Sequence, residues 1–462
     1  MRPRQDFLKS EEVEKLHEAT AYVLSRVGLR FQHDKGRHLF QKHGAKVEGE
    51  TVFIPEKLVH QALSSVPESF VLHGREKDQD VRVGGEDAVF ASASGPVYVR
   101  RGAKKYLAQD EDFINFIKLT ETSTVLGVTN YIMVEPQDIL PEKRKMHQVA
   151  ACLKYSTKPL TGITMGEGLT RSCFDLVERF YGGWQENRLL GIISPISPLV
   201  YDAQMINHMM DYAEAGQPVL ITPCSLPGAT SPVSLSGTLV VDNAQVLAGI
   251  VFSQLIRPGL PVIYGNTSTA CDLRYASPAI GAPETGLITL AAAQLSKYYG
   301  IPCRSGGCLT DAKVPDMQAG LESMLTIMPA LMGGVDFILQ SCGILESFHT
   351  LSYEKFLIDE QTLGIVKRFG AGFEINDALV ALDMIQHLGP GANFLGESHT
   401  AAHFRTEQYI PPLFSREGFA QWEKEGALTL EQKGGRLVEQ RLGQYAEPDL
   451  TKEQEQSLRE YL

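Results

Sequence analysis

The chain has 462 residues, of which 43% are apolar and 21% charged, and its formal net charge is -12. This composition is that of an ordinary globular protein with a large core, organised as one large domain with appendages or as two domains. The acidic balance argues against a nucleic-acid surface, because such surfaces are basic. The apolar runs Leu247 to Phe252 and Leu287 to Leu295 are too short to span a bilayer, and the N-terminus lacks the apolar core of a signal peptide. We therefore expect a cytoplasmic protein that binds neither membrane nor nucleic acid.

The first 87 residues predict an N-terminal extension of helices and short hairpin strands. Helical periodicity runs from Glu11 to Val27, and two further helices are predicted at Asp34 to His43 and at Pro55 to Ser64, where the proline marks a helix start. Short β segments are predicted at Thr51 to Ile54, Phe70 to His73 and Val81 to Val83.

From residue 88 to residue 385 the chain repeats a unit of apolar strand, polar loop and amphipathic helix. Eight apolar strands alternating with helices predict an α/β fold in which a parallel sheet closes into a (β/α)8 barrel of the TIM type. An open doubly wound sheet is the alternative, but no GxGxxG motif follows an early strand. The predicted strands are Val89 to Ser92, Val128 to Val134, Leu160 to Ile163, Leu190 to Ser194, Val219 to Thr222, Val262 to Asn266, Ile301 to Ser305 and Phe337 to Gln340.

A helix is predicted after each strand, and the pattern then changes to a polar, charged tail over residues 386–462. We expect this tail to pack on the barrel and to end in a helix near Thr451 to Tyr461. The predicted barrel helices are Asp110 to Thr122, Pro141 to Tyr155, Ser172 to Tyr181, Asp202 to Ala215, Leu239 to Ile256, Pro283 to Tyr299, Met317 to Met332 and Tyr353 to Phe369.

Seven cysteines are scattered along the chain without a CxxC pair. Their odd number and wide spacing favour reduced thiols over a disulfide framework. Cys303, Cys308 and Cys342 nevertheless lie in or just after predicted strands, so a thiolate site remains an alternative.

In a barrel of this class the chemistry lies in the loops that follow the strands. The predicted strand ends supply polar and aromatic residues with few charges, among them Tyr98 and Asn266. Such a surface suits a small ligand with a methylated cationic head, because an aromatic face attracts quaternary ammonium by roughly 0.5 to 2 kcal/mol. Any single tyrosine is also explained by packing. We predict that Tyr98 and Asn266 bind substrate.

The densest polar group follows the seventh strand and contains Asp311, Lys313, Asp316, Gln318 and Glu322. Lys313, on the loop itself, could bind a substrate carboxylate as a point charge, or it could be a solvated surface lysine. Gln318 and Glu322 share a helix face, whereas Asp316 at the helix start is explained by capping. We predict a catalytic role for Asp311 and substrate binding by Lys313 and Gln318.

Glu346, His349 and Tyr353 follow the eighth strand at spacings that would place them along one side of a helix. An imidazole can orient a carboxylate, donate a proton or bind a metal. We predict catalytic roles for His349 and Glu346, and substrate contacts for Tyr353 and Phe356.

His399 and His403 have the i, i+4 spacing of metal ligands on a helix, but no Glu follows the first histidine as in a metalloprotease. Hydrogen bonds to nearby backbone are the preferred explanation. The chain also lacks a phosphate loop of the form GxxxxGK[ST]. The sequence therefore predicts neither a tightly bound metal nor a bound nucleotide.

Several motifs, most of them in the second half of the chain, resemble the trimethylamine methyltransferase superfamily in its branch without pyrrolysine, which includes the glycine betaine:corrinoid-protein methyltransferases. Their order and spacing argue against chance similarity, and the likeness extends from Gly95 over nearly all of the chain. The matching motifs are Gly281-Ala-Pro-Glu284, Ala291 to Tyr299, Gly306-Gly-Cys-Leu-Thr-Asp-Ala-Lys313, Asp316-Met-Gln-Ala-Gly320, Gly343-Ile-Leu-Glu-Ser347, Ser352-Tyr-Glu-Lys-Phe356 and Phe394-Leu-Gly-Glu-Ser-His-Thr-Ala-Ala-His403.

The resemblance implies a (β/α)8 barrel and the transfer of a methyl group from an amine nitrogen to the Co(I) of a corrinoid carried by a separate small protein. Trimethylamine-using relatives place pyrrolysine in the barrel, whereas this chain has only ordinary residues, which favours a quaternary amine as substrate. A quaternary nitrogen leaves as a neutral amine, so no general acid is needed and the protein contributes binding and alignment. Members of the superfamily assemble, so a homo-oligomer is expected.

Three functions remain open on the sequence alone. The first is demethylation of a betaine such as glycine betaine, proline betaine or carnitine, with a corrinoid protein docking over the barrel mouth. The second is a betaine-binding or partner-binding barrel without transfer activity. The third is a zinc-thiolate methyltransferase that uses Cys308 or Cys342.

Overall fold

The centre of the molecule is a closed barrel of eight parallel strands. Each strand pairs with its neighbour in sequence, and the eighth closes the barrel on the first through Phe337 and Val89. The predicted (β/α)8 barrel is therefore confirmed in this computed structural model, which describes residues 6–183 and 186–462. The barrel strands are Val89–Ala91, Leu126–Asn130, Leu160–Gly162, Leu189–Ile193, Val219–Ile221, Val262–Gly265, Cys303–Arg304 and Phe337–Ile338.

The second strand departs most from its predicted bounds, because it ends at Asn130 rather than at Val134. The Oδ1 atom of Asn130 accepts a hydrogen bond from the backbone N–H of Ile132 at 3.0 Å. An asparagine side chain that bonds two residues ahead turns the chain. The apolar residues that follow, Tyr131 to Val134, are buried in this turn instead of extending the strand.

A ring of helices surrounds the barrel. Pro141 and Pro283 open two of them at the first turn, and Asp202, Asp316 and Ser352 cap three others by accepting a backbone N–H three residues ahead. These helices are Asp110–Glu121, Pro141–Tyr155, Leu169–Tyr181, Ala203–Ala215, Leu235–Ile256, Pro283–Tyr299, Met317–Gly333 and Tyr353–Ala371.

The barrel interior is an apolar layer that the hairpin Phe70–Leu72 and Val81–Val83 closes at one end. Phe70, Leu72 and Val83 of this hairpin are buried against inward residues of the strands. The inward residues are Val89, Ala91, Val128, Leu190, Leu220, Ile263, Phe337 and Leu339. Because the hairpin fills the N-terminal end, ligands have access only from the opposite end, where barrel enzymes carry their chemistry.

The helix Leu235–Ile256 is long and apolar enough to cross a membrane, which corrects the expectation drawn from its short apolar run Leu247 to Phe252. However, 78% of its apolar window is buried inside the structure. It packs against the helices Ser10–Tyr22 and Glu56–Leu63 of the N-terminal extension. A buried helix of this kind is apolar all round because it belongs to the core of a large protein.

The chain before the barrel forms helices and a small sheet, and the chain after it is mostly helical. Helix Leu430–Gln444 packs along helix Tyr353–Ala371, where Arg441 forms an ion pair with Glu360. The domain bounds at residues 87 and 385 stay predictions. The N-terminal elements are Ser10–Tyr22, which continues as the π-helical turn Val23–Val27, then Leu29–Phe31, Asp34–Lys42, Lys46–Glu48, Thr51–Phe53 and Glu56–Leu63; the C-terminal helices are Asp377–Val380, Leu382–Leu388, Ser398–Glu407, Phe419–Lys424, Leu430–Gln444 and Lys452–Leu458.

Candidate active site at the barrel mouth

A small four-stranded sheet is built from the loops after the first and eighth barrel strands, and we call it the mouth sheet. Its strands, in spatial order, are Ile344–Leu345, Thr350–Ser352, Tyr98–Arg101 and Lys104–Leu107. Tyr98 pairs with Thr350, and its backbone N–H donates to the carbonyl of His349 at 3.1 Å. The mouth sheet therefore places two predicted site residues, Tyr98 and His349, side by side.

A turn in left-handed backbone conformation precedes His349. Glu346, Ser347 and Phe348 have φ angles of 51°, 51° and 74°, although none is glycine. Such residues cost roughly 1 to 3 kcal/mol each and persist only where their surroundings hold them. The backbone N–H groups of Glu346 and Ser347 donate to carbonyls of the loop after the seventh strand, at 3.0 and 3.2 Å. Strain of this kind is concentrated at functional sites, so the turn marks this end of the barrel as a candidate site.

The carboxylate of Asp311 joins three segments at this turn. It accepts the backbone N–H groups of Ile280 and Gly281 at 3.0 and 3.1 Å, and the hydroxyl of Ser347 at 2.5 Å. These bonds occupy its oxygens with protein donors. They make Asp311 an anchor of the loop that carries Lys313, whose exposed ammonium donates to the backbone carbonyl of Asp311 at 2.6 Å.

Glu346 and Lys105 form an ion pair on the mouth sheet, and Thr350 also donates to the same carboxylate. Partial burial would raise the pKa of Glu346, but the hydrogen bonds from Lys105 and Thr350 hold it below the usual value. The Lys105 ammonium also lies 4.4 Å from the centre of the Tyr98 ring. The aromatic face predicted to attract a methylated cation is therefore already covered by a protein cation.

The structure brings Tyr98, Asp311, Lys313, Glu346 and His349 together, whereas the other predicted residues lie apart from them. Tyr353 and Phe356 are buried between helices Asp110–Glu121 and Tyr353–Ala371. The Tyr353 hydroxyl donates to Asp112 at 2.9 Å, and both rings pack on Phe116. The predicted helical face from Glu346 to Tyr353 is wrong, because the helix begins only at Tyr353. Gln318 is exposed and donates to Glu322 at 2.9 Å.

Asn266 is buried at the end of the sixth strand, and its side chain faces a helix rather than the mouth. Its amide donates to Asp242 of helix Leu235–Ile256 at 3.0 Å, and its Oδ1 accepts the N–H of Ser268 at 3.0 Å. Asp242 also accepts the hydroxyl of Ser225 at 2.5 Å. Burial raises the pKa of Asp242 to about 6.

Arg304, at the end of the seventh strand, is a candidate site residue that the sequence-based predictions missed. Its neighbour Cys303 belongs to the outer core shared with the helices, so strand alternation turns Arg304 into the barrel, beside Gly265 of the sixth strand. One guanidinium nitrogen donates to the carbonyl of Asn266 at 2.7 Å and to the hydroxyl of Thr267 at 2.5 Å.

The charge of Arg304 is not balanced by a carboxylate. The side chain is 2% exposed, its Nε–H has no partner, and no ion pair links it to an acidic residue in the part of the chain that the structure describes. Burial lowers its pKa to about 10, which still leaves the guanidinium charged at neutral pH. A buried, unpaired cation with a free donor is costly unless a ligand supplies the missing anion.

Asn130, from the second strand, presents a second unpaired donor at the same end of the barrel. Its Oδ1 accepts the hydroxyl of Thr161 at 2.9 Å, which orients the amide, and its Nδ2 is buried without a partner in the described chain. Arg304 and Asn130 thus form a polar layer above the apolar interior, with hydrogen bonds left over for a ligand.

Metal binding finds little support among the predicted groups. Burial raises the pKa of Cys308 and of Cys342 well above the usual value, which opposes the thiolate that a zinc site needs. The rings of His399 and His403, on the helix Ser398–Glu407, have centres 4.6 Å apart and are tilted by 52° to each other. Ligand atoms of His17, Glu56 and His60 lie within 4.8 Å of one another, but in the N-terminal extension, and Glu56 and His60 are exposed.

The family model for trimethylamine methyltransferase (MTTB) matches residues 1–462. The chain is 38% identical to a glycine betaine methyltransferase of Desulfitobacterium hafniense (strain Y51) over 429 residues. These aligned residues cover 92% of this chain and 89% of the relative. It is 36% identical over 470 residues to a proline betaine:corrinoid methyltransferase of Eubacterium limosum, with 99% and 97% of the two chains covered.

Among solved structures, the monomethylamine methyltransferase of Methanosarcina barkeri matches with a TM-score of 0.54. The match covers 95% of this chain and 93% of that chain at 13% identity. At such low identity the similarity establishes the barrel fold alone.

Proposed function

Because the chain belongs to the trimethylamine methyltransferase (MTTB) family, we propose that it transfers a methyl group from a quaternary amine to the corrinoid of a separate protein. The relatives named for glycine betaine, proline betaine and L-carnitine share 34% to 38% identity with it over most of its length. Their named substrates combine a methylated ammonium with a carboxylate. A betaine is therefore the substrate that we propose for this chain.

The unpaired charge of Arg304 is the observation that carries the choice of a betaine. Its free Nε–H and unbalanced charge, buried at the open end of the barrel, provide the partner that a substrate carboxylate requires. An amine without a carboxylate, such as trimethylamine, would leave this guanidinium unpaired. Arg304 thus takes over the role that the sequence assigned to Lys313 and His349, both of which are exposed.

The remaining mouth residues would hold and orient the substrate. The corrinoid supplies the nucleophile, and the neutral amine leaves without a proton, so the task of the chain is alignment. We propose that His349 of the mouth sheet helps to orient the substrate, whereas the Tyr98 ring holds Lys105, whose position Glu346 sets. Asp311 acts by positioning the strained turn, since its oxygens already accept three protein donors.

A corrinoid protein would dock on the loops that follow strands three to six. These loops expose apolar side chains at the open end of the barrel, and we call them the docking patch. They are Met165 (41% exposed), Ile196 (52%), Val233 (67%), Leu273 (58%) and Tyr275 (76%). Exposed apolar residues gathered at one end of a molecule are typical of a protein-binding surface.

We further propose that the protein works in the cytoplasm, because all seven cysteines are free thiols, as expected in a reducing compartment. The zinc-thiolate alternative is disfavoured by the raised pKa of Cys308 and Cys342. A binding barrel without transfer activity has the same mouth, so only an activity measurement separates it from the enzyme.

The test is methyl transfer to a reduced corrinoid protein, followed by the absorbance change from Co(I) to methyl-Co(III). Glycine betaine, proline betaine, carnitine and choline are compared with the wild-type protein and with Arg304→Met. Losing a charge-assisted hydrogen bond costs roughly 1.5 to 3 kcal/mol, a loss of about 10- to 150-fold in transfer efficiency. We expect this loss for a carboxylated betaine and little change for choline, if choline reacts.

Lys313→Ala and His349→Ala serve as matched variants in the same assay, since both remove a basic side chain near the mouth. One outcome would contradict the role of Arg304: Arg304→Met lowers transfer from betaine and from choline equally, while one of the matched variants lowers transfer from betaine more than from choline. This result would mean that Lys313 or His349 binds the substrate carboxylate. Absence of transfer from every amine, while thermal shift still detects betaine binding, would favour the binding barrel without activity.

A further inference from the structure

Two histidines and a glutamate meet in the N-terminal extension, outside the candidate active site, and we call them the His–Glu cluster. His17 lies on the helix Ser10–Tyr22, and Glu56 and His60 lie on the helix Glu56–Leu63. Nε2 of His60 lies 3.4 Å from Oε1 of Glu56, and Nε2 of His17 lies 3.9 Å from the same oxygen. One potential ligand atom of each residue lies within 4.8 Å of those of the other two.

The cluster combines an exposed pair with a buried third residue. Glu56 and His60 are four residues apart, so they lie on one face of their helix at successive turns. Such a pair is common on helix surfaces and would not by itself indicate a ligand. His17 changes this interpretation, because it comes from a different helix and is only 8% exposed.

The ring of His17 is held through its other nitrogen. Nδ1 forms a hydrogen bond with the hydroxyl of Tyr299 at 3.1 Å, and this hydroxyl accepts the side-chain amide of Asn243 at 2.8 Å. When Nδ1 donates to Tyr299, the lone pair of Nε2 is free and directed toward Glu56. Histidines that bind metals have this arrangement, since a hydrogen bond at one ring nitrogen orients the other toward the ion.

The carboxylate of Glu56 lacks a strong cation as partner. In the part of the chain that the structure describes, it forms no ion pair with a lysine or arginine, and its neighbours are the two histidines. Burial lowers the pKa of His17, so this ring is neutral at pH 7.5 and does not balance the carboxylate. A neutral imidazole is also the form that binds metal.

We propose that the His–Glu cluster binds one Zn²⁺ ion per chain, with water as the fourth ligand. Zinc accepts imidazole and carboxylate ligands in tetrahedral geometry with bonds of about 2.0 to 2.2 Å, which places the ligand atoms about 3.4 Å apart. Glu56 and His60 already have this spacing, and their side chains, 60% and 62% exposed, are free to turn toward His17. Mg²⁺ and Ca²⁺ prefer oxygen ligands alone, and Cu⁺ prefers sulfur.

A metal at this place would fasten the N-terminal extension to the end of the barrel opposite the mouth. Tyr299 ends the helix Pro283–Tyr299 shortly before the seventh strand begins at Cys303, so it lies near the N-terminal end of the strands. The ion would join the helices Ser10–Tyr22 and Glu56–Leu63 and, through Tyr299, the barrel wall. The site departs from the sequence-based expectation of no tightly bound metal, because only the fold brings its ligands together.

The proposal is tested by calorimetric titration of Zn²⁺ into protein that a chelator has freed of metal. One ion should bind per chain. Zinc at 100 times its dissociation constant should shift the unfolding equilibrium about 100-fold toward the folded state, measured as a higher midpoint of urea unfolding. Mg²⁺ at the same concentration should leave the midpoint unchanged. These measurements use no substrate, so their outcome does not depend on the methyl transfer proposed above.

The exposed ligands are the ones to replace, because removing the buried His17 would test the fold as well as the site. Glu56→Gln and His60→Ala should each weaken zinc binding by about tenfold or more. His38→Ala is the matched control, since His38 is an exposed histidine on the helix Asp34–Lys42 of the same extension, and it should bind zinc like wild type. Wild-type affinity in both ligand variants would mean adventitious binding elsewhere and would overturn the proposal, as would a wild-type protein that binds no zinc.

Discussion

Buried ionisable side chains at the open end of the barrel and in its wall differ in their partners. Lys355 and Asp359 form an ion pair at 2.6 Å, with side-chain exposures of 2% and 3%. Asp242 accepts hydrogen bonds from the uncharged side chains of Ser225 and Asn266. Arg304 lacks an acidic partner in the described chain. The charges of Lys355 and Asp359 are balanced within the fold, whereas Arg304 has a free donor that a ligand could accept.

Asp242 makes stability depend on pH in a defined direction. Its pKa is raised to about 6 in the folded protein, above its value in the unfolded chain. Between pH 4 and pH 6 the folded state binds the extra proton, so the contribution of Asp242 to stability is lost as pH rises through this range. From pH 4.5 to pH 7.5 the expected loss is roughly 2 kcal/mol. Urea unfolding of wild-type protein and Asp242→Asn at both pH values isolates this loss.

The sign of the comparison is what tests the assignment. Wild-type protein loses the contribution of Asp242 between pH 4.5 and pH 7.5, whereas Asp242→Asn does not, because the amide does not titrate. The stability of the variant minus that of wild type should therefore be more favourable at pH 7.5 than at pH 4.5. A difference between the two proteins that is the same at both pH values would mean that Asp242 is ionised in the fold at both.

The ion pair of Lys355 and Asp359 gives a prediction of a different kind. The Lys355 ammonium also donates to Ser323 at 2.9 Å and to the Cys308 carbonyl at 3.2 Å. Lys355→Met leaves Asp359 buried without a cation, which is expected to cost about 3 to 5 kcal/mol. The double variant Lys355→Met with Asp359→Asn should recover much of this loss, since the amide oxygen still accepts the Gly343 N–H. The midpoints of urea unfolding measure both, and a double variant no more stable than the single one would contradict the explanation.

The sequence contains a signal for Arg304 that the predictions passed over. The strand Ile301 to Ser305 was expected to be buried on both faces, and charged residues are almost never fully buried without a partner. An arginine at such a position therefore points to a ligand. Asp242 is likewise a charged residue in an apolar element, the helix Leu235–Ile256. A single sequence does not identify the residue or ligand with which such a buried charge interacts.

At the scale of elements, the turns between the seventh and eighth strands decide the shape of the mouth. Gly307 has a φ of +141°, and a Cβ there would lie 2.7 and 2.8 Å from the carbonyls of Leu339 and Gln340. Gln340 in turn joins the eighth strand to the first, since its amide exchanges two hydrogen bonds with the backbone of Ser94. Only glycine permits this close approach of one strand end to the next.

Substitutions at two glycines with opposite surroundings test this account. Gly307→Ala is expected to destabilise the protein by several times the roughly 1 kcal/mol that alanine gains in a helix, because alanine disfavours the positive φ and its Cβ would clash with both carbonyl oxygens. Gly320→Ala is the matched control: Gly320 lies in helix Met317–Gly333 with no atom near its absent Cβ, so alanine should stabilise by about 0.5 to 1 kcal/mol. Thermal unfolding measures both, and destabilisation of equal size would refute the distinction.

The elements were predictable where one local pattern determines them. Apolar strands and proline or aspartate at helix starts located the barrel, and Pro141–Tyr155 and Pro283–Tyr299 have the bounds that the sequence predicted. The strained turn from Glu346 to Phe348 was not predictable, because none of its residues favours a left-handed conformation. Its geometry comes from Asp311 and from backbone contacts with the preceding loop, which are tertiary interactions.

At the scale of the whole molecule, the docking patch gathers exposed apolar side chains from four consecutive loops at the open end of the barrel. The resemblance to a family predicted a corrinoid protein as partner, but only the exposure of particular side chains suggests where it binds.

The docking patch yields the last prediction, which concerns the corrinoid protein alone. Val233→Asp and Tyr275→Asp place a charge among exposed apolar loops without touching the buried polar layer around Arg304. Each should raise the KM for the corrinoid protein by about tenfold, the cost of losing one well-buried anchor at an interface. The KM for betaine and the thermal shift on betaine binding should stay unchanged. Tyr22→Asp, equally exposed on the N-terminal helix, should alter neither KM. A raised betaine KM together with an unchanged corrinoid-protein KM would mean that these loops close over the substrate instead of receiving the partner.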